Sequence, residues 1–407
     1  MKVYYIHQYF RTPEEGGAVR SYHLAKGLAE KGFEVEIITG SSQKSYDQRW
    51  MDGFKVHKLP VSYSQEFGFI ERLRAFWDFV KKAKNLIQKL PRPDLLYISS
   101  TPLTTGWIGL WAKKKLAIPY IFEVRDLWPE APIQVGAIRH PWLKTYLYKL
   151  EKRIYQNALS LVALSPGMAS YIRQLPLATP VHVIPNFVDL NQFFPQKKSE
   201  ILLHHFNLKN HLTIAYAGTL GKVNAVDELL DLAQLAKEKG KEWQFLIMGE
   251  GSEKKTLQEK AKKLELEAVR FIPFGSKDKV NEVLSLADFC WVSFAHLPVL
   301  KTNSPNKFFD ALGAGKAILV NHKGWVHQLV KRHQLGFSCL PDKMDPCFSQ
   351  LEAVEKDPKL LQSLQKNSRD LAEKYFGKEQ AVERLASVLD PSRKFPTQGD
   401  EVYILTA

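Results

Sequence analysis

From Lys2 the chain runs as a short apolar segment, K-V-Y-Y-I-H-Q-Y, and then turns through R-T-P-E-E-G-G. A helical spacing of Leu24, Leu28 and Ala29 follows, and Gly32 leads into V-E-I-I-T. Strand, glycine turn, helix, strand is a βαβ unit, which builds a parallel sheet with helices on its faces. The alternation continues through D-L-L-Y-I-S-S, a Trp-rich helix from Thr105 to Leu116, P-Y-I-F-E-V, L-S-L-V-A-L-S and H-V-I-P-N-F-V. It lapses between Asp189 and His211 and then restarts. The second run is L-T-I-A-Y-A-G, a helix from Val226 to Gly240, F-L-I-M-G-E-G, V-R-F-I-P-F-G, F-C-W-V-S-F and A-I-L-V-N. The pattern predicts an α/β protein of two doubly wound, Rossmann-like domains, at 1–188 and 212–376, joined by a linker at 189–211. A C-terminal helix at 377–390, packing back on the first domain, and a flexible tail at 391–407 complete the expected organisation.

Composition narrows the partners. No apolar run approaches the roughly 20 residues of a membrane span, and the opening residues lack the pattern of a secretory signal. Three cysteines without C-x-x-C spacing point to a reducing, cytoplasmic setting and away from a thiolate metal site. No D-x-D occurs, so no divalent metal site is expected. The net charge is +14, of which +10 falls in residues 1–190. That excess lies largely on two amphipathic stretches, 67–91 and 141–157, where bulky apolar groups border a Lys/Arg face. Each reads either as a surface helix packed on a sheet or as a dock for an anionic bilayer. Nucleic acid is disfavoured as a partner, because neither half shows a recognition helix or an RNA-binding motif.

In doubly wound sheets, ligands bind beyond the carboxyl ends of the strands. Four segments with suitable chemistry fall there. E-E-G-G offers bare backbone at Gly16 and Gly17. A-G-T-L-G-K-V-N brings Gly218, Thr219, Lys222 and Asn224, and G-E-G brings Glu250 and Gly251. The fourth, S-P-N-K-F-F-D-A-L-G-A-G-K-A-I-L-V-N, reads as a helix with Ser304 as N-cap, Pro305 at the first position and Gly313 and Gly315 as the stop. Lys307 and Asp310 share one face near its amino end. Free N–H groups and a lysine suit phosphates, and a carboxylate suits ribose hydroxyls, so a nucleoside diphosphate fits; an exposed Lys–Asp pair of little energetic worth is the plainer alternative. In the first half, E-V-R-D-L-W-P-E packs Glu123, Arg125 and Asp126 just after a buried strand. That pattern marks either a site or a buried ion pair.

Together these segments, with V-I-P-N-F-V-D and A-L-S-P-G-M, resemble the group-1 glycosyltransferases of family 4, which have the GT-B architecture of two Rossmann-like domains facing across a cleft. The resemblance is nearest to the bacterial branch that transfers N-acetylated amino sugars in O-antigen or capsule synthesis. It implies a retaining, metal-independent transfer from a nucleotide sugar, weighted toward UDP, with no cofactor. The acceptor would be a saccharide on a polyprenyl diphosphate, met at the inner face of the plasma membrane. The resemblance gives the first domain the acceptor and the second the donor. Asp310 matches the acidic residue that holds the ribose, and Phe271–Gly275, with Phe274, matches the region that receives the base. Departures are plain. The position eight before Asp310 is Thr302 rather than glutamate, leaving Thr302, Asn303 or their neighbours Ser304, Pro305 and Asn306 to contact the sugar. The usual Arg and Lys fall on Thr219 and Asn224, so Lys222 and Lys307 become the replacements. Arg125 stands where many members carry histidine, and with Asp126 and Lys307 it forms the expected catalytic set. A sugar-nucleotide epimerase on the same fold is the competing enzyme reading, and a basic nucleic-acid-binding protein the competing class.

Overall fold

The computed structural model describes residues 1–63 and 67–392. The expected tail therefore lies outside the described residues, apart from Pro391 and Ser392. Chain contacts divide the protein into two compact units. The first holds eight strands: β1 (Lys2–Ile6), β2 (Glu34–Ser41), β3 (Asp47–Met51), β4 (Phe54–Pro60), β5 (Leu95–Ser99), β6 (Tyr120–Val124), β7 (Ser160–Ala163) and β8 (Val181–Val183). Their order is β3-β4-β2-β1-β5-β6-β7-β8, and every pairing is parallel except β3 with β4. β5, β6 and β7 are buried at every position, as strands covered by helices on both faces must be. Residues 379–392 also belong to this unit; Val382, on the helix Lys378–Leu389, occupies the space where a side chain on Gly27 would stand.

The second unit has β9 (Thr213–Ala217), β10 (Gln244–Met248), β11 (Val269–Ile272), β12 (Phe289–Val292), β13 (Ala317–Val320) and β14 (Gly336–Ser338). The order is β11-β10-β9-β12-β13-β14, parallel throughout. One face is filled by a cluster containing Leu229, Trp243, Trp291 and Leu351, the other by clusters containing Phe308, Phe309, Trp325, Val283 and Leu286. Each sheet thus has the covered, doubly wound form.

Four details differ from the sequence reading. The β3–β4 hairpin was not foreseen, although Asp52-Gly53 sits at its tip with both φ angles positive, at 44° and 87°; Asp-Gly is a favoured two-residue hairpin turn. Of H-V-I-P-N-F-V only His182 and Val183 are strand, closing β8, because Pro185 withholds an N–H from the ladder. Residues 189–211 group with the second unit and hold a helix, Glu200–His205, capped by Ser199. Cys339 and Cys347 are brought together, with Cα atoms 5.1 Å apart, because the turn Pro341–Lys343 folds the chain back, a juxtaposition their spacing does not suggest. No helix among the described residues is long and apolar enough to cross a membrane.

Candidate active site

In the second unit the chain winds outward from β9 to β10 and β11, then returns to the other side for β12, β13 and β14. The switch point lies at the carboxyl ends of β9 and β12, where a doubly wound sheet opens a crevice. The segments after β9, β10, β12 and β13 converge there, with the helix Asn306–Gly313.

Lys307, on the first turn of that helix, reaches back over β9. Its Nζ donates to the Tyr216 hydroxyl at 2.9 Å, stands 4.1 Å from the Tyr216 ring centre, and would touch a side chain placed on Gly218. It makes no ion pair with a carboxylate among the described residues. Burial therefore pulls its pKa down to about 7, against a small opposing effect of Cys290. Asp310 is not its partner. Lys277 Nζ donates to Asp310 Oδ2 at 2.6 Å, and both side chains are buried. Burial holds the Asp310 carboxyl above its ordinary value, with Lys277 opposing. The exposed Lys–Asp pair is thereby excluded, and a lysine 33 residues away in sequence joins the site.

Ser304 is not the N-cap. That position is Pro305, and the Ser304 hydroxyl instead accepts the Asn186 N–H at 3.2 Å, while the Ser304 carbonyl accepts from the Asn186 amide at 2.6 Å. The helix begins at Asn306; the Phe308 N–H donates to Pro305 O at 3.1 Å, and those of Asn306 and Lys307 have no carbonyl partner among the described residues. Thr302 donates its hydroxyl to Val299 O at 2.7 Å, and the Asn303 carbonyl accepts from Trp325 Nε1 at 2.7 Å.

The glycines of G-E-G serve backbone packing. A side chain on Gly249 would lie 1.8 Å from Gly218 O, and one on Gly251 2.2 Å from Leu220 O. Leu220 N–H donates to Glu250 O at 2.8 Å, sewing the loops after β9 and β10 together. The Glu250 side chain is exposed and paired with Lys254. Thr219 and Lys222 are exposed; Asn224 is buried, its carbonyl accepting from Ser293 Oγ at 2.5 Å. Residues 13–17 group with this unit, and Gly16, at φ +68°, sits where a side chain would strike Gly275 O and the half-exposed Phe274 ring. Its neighbour Gly17 is also at positive φ.

The sequence reading passed over Glu228, His296, Asn321 and His322. Asn321 Nδ2 donates to Glu228 Oε2 at 2.8 Å and to Phe294 O at 3.1 Å, while its Oδ1 accepts the Phe294 N–H at 2.9 Å. His296 meets Glu228 Oε1 at 2.8 Å, and His322 Nδ1 meets Asn321 Oδ1 at 3.0 Å. The available signal was position: V-N-H directly follows β13, and F-A-H follows β12.

In the first unit, Glu123 is fully buried and Arg20 is its ion-pair partner, with Nε to Oε1 at 2.8 Å. The hydroxyls of Tyr97 and Ser99 donate to it at 2.9 and 2.8 Å. Burial raises its pKa, but Arg20 and Arg125 outweigh that and hold it near 2. Arg125 extends to His7, its guanidinium donating to Nε2 at 3.0 Å. Because a guanidinium only donates, His7 carries its proton on Nδ1 and gives it to Ser21 Oγ at 2.8 Å. Burial and Arg125 drive the His7 pKa down to about 3. Asp126 accepts weakly from Thr101 at 3.4 Å, and burial raises its pKa. Glu123 is thus structural, whereas half-buried Arg125 and Asp126, with His7, lie at the carboxyl ends of β6 and β1.

Comparison with known proteins bears on both units. Residues 15–186 match the glycosyl transferase 4-like domain, and residues 200–371 the domain described as glycosyl transferases group 1. This chain is a glycosyltransferase. The transferase is 23% identical over 383 residues to an uncharacterized glycosyltransferase of Haemophilus influenzae, covering 92% of this chain and 96% of that one. It is 22% identical over 264 residues to a GDP-mannose-dependent alpha-mannosyltransferase of Mycobacterium tuberculosis, covering 60% and 62%. Among solved structures it is similar to a sucrose-phosphate synthase from Thermosynechococcus elongatus (TM-score 0.78, 17% identity, 96% and 98% coverage). Anabaena HepE in complex with UDP-glucose (0.71, 16%, 96% and 100%) and WaaG, a glycosyltransferase involved in lipopolysaccharide biosynthesis (0.68, 14%, 96% and 100%), share the fold. The transferase therefore has the GT-B fold.

Proposed function

We propose that the second unit binds a nucleotide sugar and that the enzyme passes the sugar, with retention, to a saccharide on a polyprenyl diphosphate. The observation that carries this is Lys307: an ammonium without a carboxylate partner among the described residues, at the amino end of Asn306–Gly313, above the switch point. A diphosphate supplies the missing negative charge. In this reading the helix N–H groups and Lys307 hold the diphosphate as charge develops on it during departure, without a metal ion. Asp310, fixed by Lys277, accepts from the ribose, and Arg125 and Asp126 of the first unit act on the acceptor side. UDP is favoured because a structural neighbour is solved with UDP-glucose; the mannosyltransferase relative makes GDP the alternative base. An N-acetylated amino sugar and a role in O-antigen or capsule assembly rest on the sequence resemblance. A thermal-shift panel of UDP, GDP, ADP, CMP and NAD tests the donor site, since a ligand that binds only the folded state raises Tm. Stabilisation by UDP or GDP alone is the expected result, and a flat panel rejects it.

The acceptor reading draws support from apolar groups left facing water. On the helix Phe69–Ile87, Ile70, Leu73 and Trp77 are exposed at one-turn spacing, and Trp77 stacks on Trp107 at 4.4 Å. Trp142 and Tyr146 are exposed on Pro141–Asn157, and Lys113, Lys114 and Lys115 close the helix Gly106–Leu116. This combination suits the inner, anionic leaflet, with aromatic groups at headgroup depth and lysines on lipid charge. Co-sedimentation with vesicles containing anionic lipid is expected, largely reversed when salt is raised toward 0.5 M. Binding indifferent to both lipid charge and salt rejects the electrostatic dock.

A further inference from the structure

Within the donor site, His322 has a use that neither its burial nor its neighbours explain. It is 3% exposed, lies two residues beyond the end of β13, and has its ring edge-on to Phe294, with centroids 5.3 Å apart. Lys307 Nζ stands 5.5 Å from the same Phe294 ring, so Phe294 is flanked by both side chains. The hydrogen bonds fix which imidazole nitrogen carries the proton. Asn321 Nδ2 is committed to Glu228 Oε2 and to the Phe294 carbonyl, both acceptors. Its oxygen must therefore face the Phe294 N–H and His322 Nδ1. Nδ1 then donates, and Nε2 keeps a lone pair with no partner among the described residues.

We propose that His322 reads the transferred sugar, its Nε2 accepting a hydrogen bond from a sugar hydroxyl or amide N–H. The inference rests on the donor-site reading above. A lone pair repels phosphate oxygens, so the diphosphate belongs to Lys307 and the helix end, and the group that suits Nε2 is a donor. Neighbouring charges preserve this state. Burial, followed by Lys307, His296 and His327, drives the His322 pKa down to about 3, and Glu228, the carboxylate of the cluster, is linked to it through Asn321. The ring therefore stays uncharged from pH 5.5 to 8.

The test compares each nucleoside diphosphate with its sugar nucleotide on the full chain: UDP against UDP-glucose and UDP-N-acetylglucosamine, and GDP against GDP-mannose. His322→Phe is expected to leave the affinity for the diphosphate within about two-fold and to weaken the best-bound sugar nucleotide about ten-fold or more, the loss of one hydrogen bond at a buried site. His322→Gln, which returns a carbonyl acceptor, recovers part of that loss. Between pH 5.5 and 8 the ratio of wild-type to His322→Phe affinity for the sugar nucleotide, whose phosphates do not titrate in that range, stays flat. Equal losses for diphosphate and sugar nucleotide, or a wild-type to His322→Phe ratio for the sugar nucleotide that changes as pH falls through 6 to 7, overturn the inference while leaving the donor site standing. A wild type that binds no member of the panel overturns both.

Discussion

Lys307→Met is expected to raise Tm while weakening nucleoside diphosphate binding about 30- to 100-fold. The affinity loss is that of a charge-assisted hydrogen bond to phosphate, worth about 2–3 kcal/mol. The stability gain has the opposite source. In the folded protein the Lys307 pKa is pulled from 10.5 to about 7 by burial, so at or below neutral pH folding holds a cation in a site that resists it. Methionine keeps the length of the stem and removes the charge. With the charge half-buried and partly screened, the gain is about 1 kcal/mol, or a few degrees in Tm. The sign with pH is fixed. Between 7 and 10.5 the unfolded chain binds a proton that the folded chain lacks, so wild-type stability from this group rises with pH. The advantage of the variant is therefore largest below pH 7 and fades toward 10.5. Binding runs the other way. Above pH 7 the wild type must take up a proton to meet the diphosphate, and its affinity falls. Nucleotide titration is common to both proteins, so the difference between their pH–affinity curves isolates Lys307. A variant that is less stable at pH 6, or binds as tightly as wild type, rejects this placement.

The second large effect lies in the first unit. Arg20→Leu is expected to cost about 3–5 kcal/mol, because it takes from buried Glu123 its ion-pair partner and leaves only the smaller pull of Arg125. It also removes the bonds from the Arg20 guanidinium to the Pro185 and Ile184 carbonyls. The pH response should change direction. In the wild type, Glu123 is held near 2, so its contribution is complete above about 4.5 and is lost as pH falls toward 2. Without Arg20, burial dominates, the folded-state pKa rises above the unfolded value, and stability falls as pH climbs from 4.5. Urea unfolding of the variant from pH 4 to 8 shows this slope. Adding Glu123→Gln should flatten it and recover part of the lost stability, since the two sites are directly coupled. An additive double variant contradicts the pairing.

What the sequence discloses follows from what is local. The strands and the helix at Asn306 announce themselves through apolar runs and glycine stops. Lys307 was found because it stands at a helix start. For Asp310, spacing of three on a helix offers Lys307 as the alternative partner, whereas Lys277 approaches from another element. Likewise Arg125 is two residues from Glu123, yet the ion-pair partner is Arg20, 103 residues earlier. Pairings between elements are set by packing, and no periodicity encodes them. His322 was passed over for a related reason: its significance lies in the Glu228–Asn321 relay that orients it, and those residues are far apart in the chain.

The stitched glycine loops carry an implication for how such an enzyme changes over generations. Gly249 and Gly251 lie against the Gly218 and Leu220 carbonyls, so the floor of the crevice is made of main chain. Thr219 and Lys222 stand exposed above that floor. Substitutions at these two positions can drift without disturbing the ground they rest on, whereas a methyl group at either glycine closes the loops off. With the donor seated in this crevice as proposed, selection for a new one has a permissive layer and a forbidden one, separated by a single thickness of backbone.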